Sequence, residues 1–164
     1  MKDTIICDLD GTLCNVDHRL HHVQKTDGNG LKRKADWDAF FAGTPQDTVN
    51  DAVHAVLMAW LKEEEQSSFK DEQRKVIFCS GRPERCRHDT NMWLINNYNG
   101  PVGDAYLHMR KDGDFRRDDI VKEEILNAHI DKDRVMFVLD DRQQVVDMWR
   151  RNGLQCFQVA EGNF

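Results

Sequence analysis

The sequence predicts an α/β domain of the doubly wound, Rossmann-like kind, with a parallel sheet flanked by helices. Three observations lead there. Four short apolar runs recur along the chain, "TIICDL" (4–9), "KVIFCS" (75–80), "RVMFVLD" (134–140) and "LQCFQVA" (154–160), and the first three are continuous rather than alternating, as strands covered on both faces require. Amphipathic helix patterns lie between them, and strands alternating with helices imply right-handed crossovers and a parallel sheet. Finally, 164 residues with 40% hydrophobic composition suffice for one core and call for no second domain, so residues 1–164 are expected to form a single unit.

Taken in order, the run at 4–9 is the first interior strand. Residues 15–46 follow, with three histidines, a basic "LKRK" and "DWDAFF". This stretch is too long for a simple turn and reads as a small excursion over the carboxyl ends of the strands, where ligands bind in such sheets. "DTVNDAVHAVLMAWLKEEE" (47–65) is helical, with Val49, Val53, Val56, Leu57 and Trp60 on one face. "EEEQSSFKDEQRK" (63–75) is a polar connector into the second strand. "ERCRHDTNMWLINNY" (84–98) is the next helix, and "DAYLHM" (104–109) a weaker fifth strand. "RDDIVKEEILNAH" (117–129) leads to the strand at 134–140, and "RQQVVDMWRRNG" (142–153) ends at Gly153 in the manner of a helix C-cap before the last strand.

The chain carries 23 basic and 29 acidic residues, a net charge of −6. Non-specific nucleic-acid binding through bulk charge is therefore not expected, although a local basic surface remains open. No stretch of 18 apolar residues occurs and no signal-peptide pattern is visible, so the expectation is a cytoplasmic protein with no membrane span. The five cysteines (7, 14, 79, 86 and 156) form no CxxC pair, and three of them fall inside the apolar runs. They read as buried thiols rather than disulfide or zinc partners.

Asp8 and Asp10 end one strand, and Asp140 and Asp141 end another. A parallel sheet brings these four carboxylates to one edge, where they repel unless compensated. Asp is common in turns after strands, but two such pairs favour a divalent cation, and an oxygen-only set suits Mg²⁺. A third strand ends in "FCSGRPE" (78–84): Ser80 offers a hydroxyl, Gly81 close approach, and Arg82 a fork for phosphate oxygens. Asp118 and Lys122 share a helix face four residues apart. Alone they are an ordinary ion pair; beside a carboxylate site, Lys122 becomes a fixed cation for a nucleophile and a phosphoryl group.

Asp8-Leu9-Asp10-Gly11-Thr12, Ser80, Lys122 and Asp140-Asp141 resemble, in order, the four motifs of the haloacid dehalogenase superfamily of phosphatases. "CSGR", "RRDDIVKEEI" and "LDDRQQVVDMWRRNGLQCFQVAEGNF" are similar to the 3′-phosphatase domain of phage polynucleotide kinase-phosphatase. This likeness runs from 3 to 14 and from about 75 to the C-terminus, and is loose between 15 and 74. The resemblance implies a haloacid dehalogenase core with a small or minimal cap at 15–46. It further implies a Mg²⁺-dependent phosphomonoesterase acting on 3′-phosphorylated polynucleotide ends. Asp8 would form an aspartyl-phosphate and Asp10 would act as acid, then base. Asp8, the Asp10 carbonyl and Asp140 would hold Mg²⁺ with Asp141 beside it, and Thr12, Ser80 and Lys122 would hold phosphoryl oxygens. Gly81, Arg82, Arg19, Asp118 and Arg142 would complete the substrate site, Arg19 by its spacing from Asp10.

No GxxxxGK[ST] loop occurs in the chain, so a separate kinase or ligase is the expected partner. Lys32, Arg33, Lys34, Arg85, Arg87, Arg110, Lys111, Arg116 and Arg117 are candidates for a path along a phosphodiester backbone, or simply balance surface acids. His18, His21 and His22 lack metal-ligand spacing and read as mouth or surface residues. Two alternatives stand beside the polynucleotide reading. "LDDR" also resembles 5′(3′)-deoxyribonucleotidases, in which case Trp37, Phe40 and Phe41 would stack on a base. A non-catalytic binding module of the same fold is the other, although such a module has no use for Asp8, Asp10, Lys122 and Asp140 together.

Overall fold

The computed structural model describes residues 2–24, 26, 32, 34–62 and 74–162. Arg33 and residues 63–73, most of the expected polar connector, lie outside them. In chain order the elements are β1 (Thr4–Cys7), β2 (Cys14–Asn15), α1 (Trp37–Ala42), β3 (Thr48–Val49), α2 (Asp51–Lys62) and β4 (Lys75–Pro83). There follow α3 (Arg87–Asn97), β5 (Leu107–Arg110), α4 (Asp118–His129), β6 (Val135–Asp140), α5 (Gln143–Arg151) and β7 (Cys156–Gln158). Short 3₁₀ turns at Asp17–His22 and Thr44–Gln46 flank α1.

Among the described residues, five parallel strands stand in the order β5-β4-β1-β6-β7. From β1 the chain builds β4 and β5 on one side, then crosses back to build β6 and β7 on the other. The switch point therefore falls at β1 and β6, the place in an open α/β sheet where carboxyl-end loops diverge and leave a crevice. The continuous apolar runs are explained by burial on both faces. Ile5, Cys7, Val76 and Phe78 face a core closed by Val53 and Leu57 of α2 and Trp93 and Leu94 of α3. Ile6, Ile77, Cys79 and Val138 face another closed by Val121 and Leu126 of α4 and Val145 and Trp149 of α5.

Several boundaries differ from expectation. β1 stops at Cys7 rather than residue 9. Asp8 N still donates to Leu139 O at 3.0 Å, but Leu9 to Cys14 form a turn in which Gly11 takes φ 84° and Cys14 N donates to Leu9 O at 2.8 Å. β4 runs past Ser80 to Pro83 because its register with β5 shifts between those residues. The fifth strand begins at Leu107, and the last keeps only Cys156–Gln158. The helix expected from 47 starts at Asp51, since Thr48 and Val49 pair antiparallel with Asn15 and Cys14. Val49 thus leaves the helix, Val56 is 43% exposed, and the buried line of α2 is Val53 and Leu57, one turn apart. All five cysteines are buried free thiols.

Candidate active site

Four strand or helix ends meet at the carboxyl edge. β1 delivers Asp8 and Asp10, β4 delivers Ser80 to Arg82, β6 delivers Asp140 and Asp141, and the first turns of α4 deliver Asp118 and Lys122. The segment between β1 and α2 adds Arg19 and Asp47.

These side chains sort into two charge clusters. In the first, Lys122 is fully buried; its Nζ lies 2.8 Å from Asp8 Oδ1, 3.0 Å from Asp140 Oδ2 and 3.6 Å from Asp118 Oδ2. Asp140 is held further by Trp149 Nε1 (3.1 Å, to Oδ2) and by Arg142 N (3.2 Å, to Oδ1). Asp118 accepts from Arg110 Nη2 at 3.0 Å and lies 4.0 Å from Arg142 Nη1. The helix pair that is ordinary in isolation is therefore interior, one ammonium among three carboxylates. Gly81 has no room for a side chain, because a Cβ there would lie 2.3 Å from Asp118 Oδ1.

In the second cluster, Asp10 accepts from Arg19 Nη2 (2.7 Å) and from Arg82 Nε (2.9 Å), and Arg82 Nη2 is also in direct contact with it. Both guanidiniums are buried, and each shares its Nη2 between Asp10 and Asp47. Arg19 donates through Nε (2.7 Å) and Nη2 (2.6 Å), and Arg82 through Nη2 (2.8 Å). Arg19 also lies over the Phe40 ring at 4.1 Å and donates to the Phe40 carbonyl, which ties α1 to the sheet edge. His18 Nε2 sits 3.0 Å from Asp47, so this histidine joins the arginine cluster; His21 and His22 pack ring to ring.

The electrostatics of the two clusters differ. Burial would raise the Asp10 carboxyl, but Arg82 and Arg19 bring it down to about 2. Burial pushes Asp8 well above the usual carboxylate range, Lys122 pulls against this, and Asp140 and Asp141 push it further. Burial and then Asp140 raise Asp141 to about 6. Asp10, Cys14 and Asp47 bring ligand atoms as close together as Asp8, Asp140 and Asp141 do, within 4.8 Å. The former set is already neutralised by two guanidiniums. In the latter Lys122 faces three acids, with Arg142 also acting on Asp141, and among the described residues both Asp141 oxygens are buried with no hydrogen-bond partner. Buried carboxylate oxygens without donors are costly, and an oxygen-only set fits a divalent cation such as Mg²⁺. Among the described residues Thr12 Oγ1 is likewise buried without a partner, while Ser80 Oγ accepts from Arg82 N at 3.2 Å. With Asp141 completing a cation site, Mg²⁺ at a hundredfold excess over its Kd is expected to stabilise the wild type by about 2.7 kcal/mol. Asp141→Asn is expected to lose most of that thermal shift, read by melting with and without Mg²⁺.

Asp8 and Asp10 open onto a cavity of about 320 Å³ walled by Trp37, Phe40 and Phe41 of α1, by Phe115, and by Arg85, Arg110, Arg116, Arg117 and Arg142. Of the expected basic path, Arg85, Arg110, Arg116 and Arg117 stand in the wall. Lys32, Lys34 and Lys111 do not, and Arg87 is engaged with Glu84 and Asp104.

Sequence reasoning missed Asp47, Trp149 and the tail over Asp141, where Gly162 N donates to the Asp141 carbonyl at 3.2 Å. Asp47 carried no local signal. It opens what reads as a helix, and its partners lie 28, 29 and 35 residues away.

Residues 41–164 match the family profile of the polynucleotide kinase PNKP phosphatase domain. Among solved structures, a chain in the structure of the Pnkp1/Rnl/Hen1 complex is 36% identical with a TM-score of 0.71, over 99% of this chain and 48% of that one. A second, from the structure of the Pnkp1/Rnl/Hen1 RNA repair complex, is 35% identical with a TM-score of 0.68, over 98% of this chain and 43% of that one. The chain thus spans less than half the length of the solved chains it matches. Among the described residues, no helix is long and apolar enough to cross a membrane.

Proposed function

The chain belongs to the polynucleotide kinase PNKP phosphatase-domain family, within the haloacid dehalogenase-type phosphatases, and on that premise we propose that it removes 3′-phosphates from polynucleotide ends by way of an aspartyl-phosphate on Asp8. The single observation that carries this reading is Lys122, buried between Asp8 and Asp140, with an Asp141 carboxylate that has no donor among the described residues. That arrangement matches a nucleophile, a fixed cation and a metal set around one phosphoryl position.

Asp8 Oδ attacks phosphorus as the P–O bond to the 3′-oxygen breaks, and the leaving oxygen takes a proton from Asp10. Water then attacks the phosphorus of the aspartyl-phosphate, gives its proton to Asp10, and Asp8 is restored with release of phosphate. The free site holds Asp10 as an anion, the form needed for the second step. For the first step it takes up a proton from solvent as the substrate dianion draws Arg19 and Arg82 away from it. Thr12, Ser80, Lys122 and Arg82 supply donors to the phosphoryl oxygens, with Gly81 leaving them room, and Asp118 and Arg142 fix Lys122 and Asp140 in place. Asp8, the Asp10 carbonyl, Asp140 and Asp141 would hold Mg²⁺, which when bound offsets the charge on the transferring group.

In this reading residues 1–164 form one phosphatase domain in which 15–46 is a small cap, tied to the sheet edge through Arg19. Its partners are phosphorylated nucleic-acid ends, with kinase chemistry supplied by a domain or protein that carries a phosphate-binding loop and ligase chemistry by a separate one. The aromatic wall of α1 favours one competing reading, a nucleotidase for mononucleotides. Phosphate release with Mg²⁺ decides between them, using a 3′-phosphorylated oligonucleotide, its 5′-phosphorylated counterpart, and 3′- and 5′-mononucleotides. The 3′-phosphorylated oligomer is expected to give the highest kcat/KM; preference for a mononucleotide replaces the polynucleotide reading with the nucleotidase one.

A further inference from the structure

Phe115 is 94% exposed, the most open large apolar side chain among the described residues, yet the turn that carries it is pinned on every side. Asp114 accepts from Arg116 N (3.0 Å) and Nη2 (2.7 Å), and Arg116 donates to both carboxylate oxygens of Glu124 on α4 at 2.6 and 2.8 Å. Arg110, at the end of β5, donates to the carbonyls of Asp114 (3.1 Å) and Arg116 (2.7 Å). Gly113, at φ 76°, permits the reversal. Phe115 is thus displayed from a fixed backbone.

A second aromatic surface faces the same cavity. Trp37, 43% exposed, stacks on Phe41 with centroids 5.9 Å apart at 27°. Arg85 joins the two rims: its guanidinium donates to Asp38, next to Trp37, at 2.7 Å, and its backbone N–H donates to Asp112, in the Phe115 turn, at 3.0 Å. A lone exposed phenylalanine is ordinary. One carried on a hydrogen-bonded turn and lining the same cavity as Asp8, Asp10, a tryptophan and several guanidiniums has the composition of a platform for a flat aromatic group attached to a phosphate.

We propose that Trp37 and Phe115 form a stacking subsite for the base of the nucleotide that bears the scissile phosphate. The inference rests on the polynucleotide-end reading above and adds to it a base-dependent but sequence-tolerant affinity, since every base has a π face.

The test uses two 3′-phosphorylated oligonucleotides that differ only in whether the terminal nucleotide carries a base or is abasic. In the wild type, kcat/KM is expected to be about tenfold higher for the base-bearing end, mainly through KM. In Phe115→Ala and in Trp37→Ala the ratio falls toward one, and Phe115→Tyr restores it. Phe115 is 94% exposed, so its replacement does not threaten the fold. A wild-type ratio near one, or a ratio unchanged in Phe115→Ala, overturns the subsite. The two readings fail separately: loss of the subsite leaves the wild-type preference for 3′- over 5′-phosphorylated oligomers intact, whereas absence of that preference removes the polynucleotide-end reading itself.

Discussion

Asp8→Asn is expected to leave a folded protein whose Mg²⁺-dependent phosphate release falls by more than about a thousandfold. The substitution preserves shape and removes only the nucleophilic charge. Its effect on stability has the opposite sign from a typical loss of a buried ion pair. Asp8 is desolvated and crowded by Asp140 and Asp141 against a single opposing ammonium, so a neutral amide relieves repulsion while Lys122 keeps Asp140 and Asp118 as partners. Without metal, the melting temperature of the variant is expected to equal or exceed that of the wild type. A variant that is unfolded would show that Asp8 holds the fold; one that is active would remove it from the chemistry.

Asp47→Ala is expected to be the most destabilising single change at the site. The carboxylate is itself buried and receives three charge-assisted hydrogen bonds from two guanidiniums that are at most 1% exposed. Without it, Arg19 and Arg82 share only Asp10, and breaking a buried pair on one side costs about 3–5 kcal/mol because a charge is left uncompensated. For a chain of this length that corresponds to a fall in melting temperature of roughly 10 °C or more. Activity should fall with it, since Arg19 and Arg82 lose the carboxylate that holds them beside Asp10. Thermal denaturation followed by circular dichroism checks the stability; an unchanged midpoint would mean that Arg19 and Arg82 find solvent or another acid.

The contrast between these two aspartates explains how much was legible in the sequence. Asp8, Asp10, Asp140 and Asp141 each follow an apolar run, and a parallel sheet places all such ends on one edge, so their gathering follows from topology alone. Lys122 was legible as a helix-face partner of Asp118, but its burial among three acids depends on how α4 packs on β4 and β5, which periodicity does not specify. Arg19 was legible only through resemblance. Asp47 was not legible at all, because its role exists only when residues 19, 47 and 82 are folded together. The boundary shifts have causes outside the segments themselves. The bulge after Ser80 and the Cys14–Val49 pairing are tertiary choices that override the apolar pattern of the segments concerned.

The most direct measurement of the central claim is rapid acid quenching of the wild type during turnover of an oligonucleotide labelled in its 3′-phosphate, followed by peptide mapping of the protein. Label is expected on the peptide containing Asp8, chased to free phosphate when the reaction is left to proceed, and absent in Asp8→Asn. Release of phosphate with no labelled protein at any time point, or label on another residue, would contradict it.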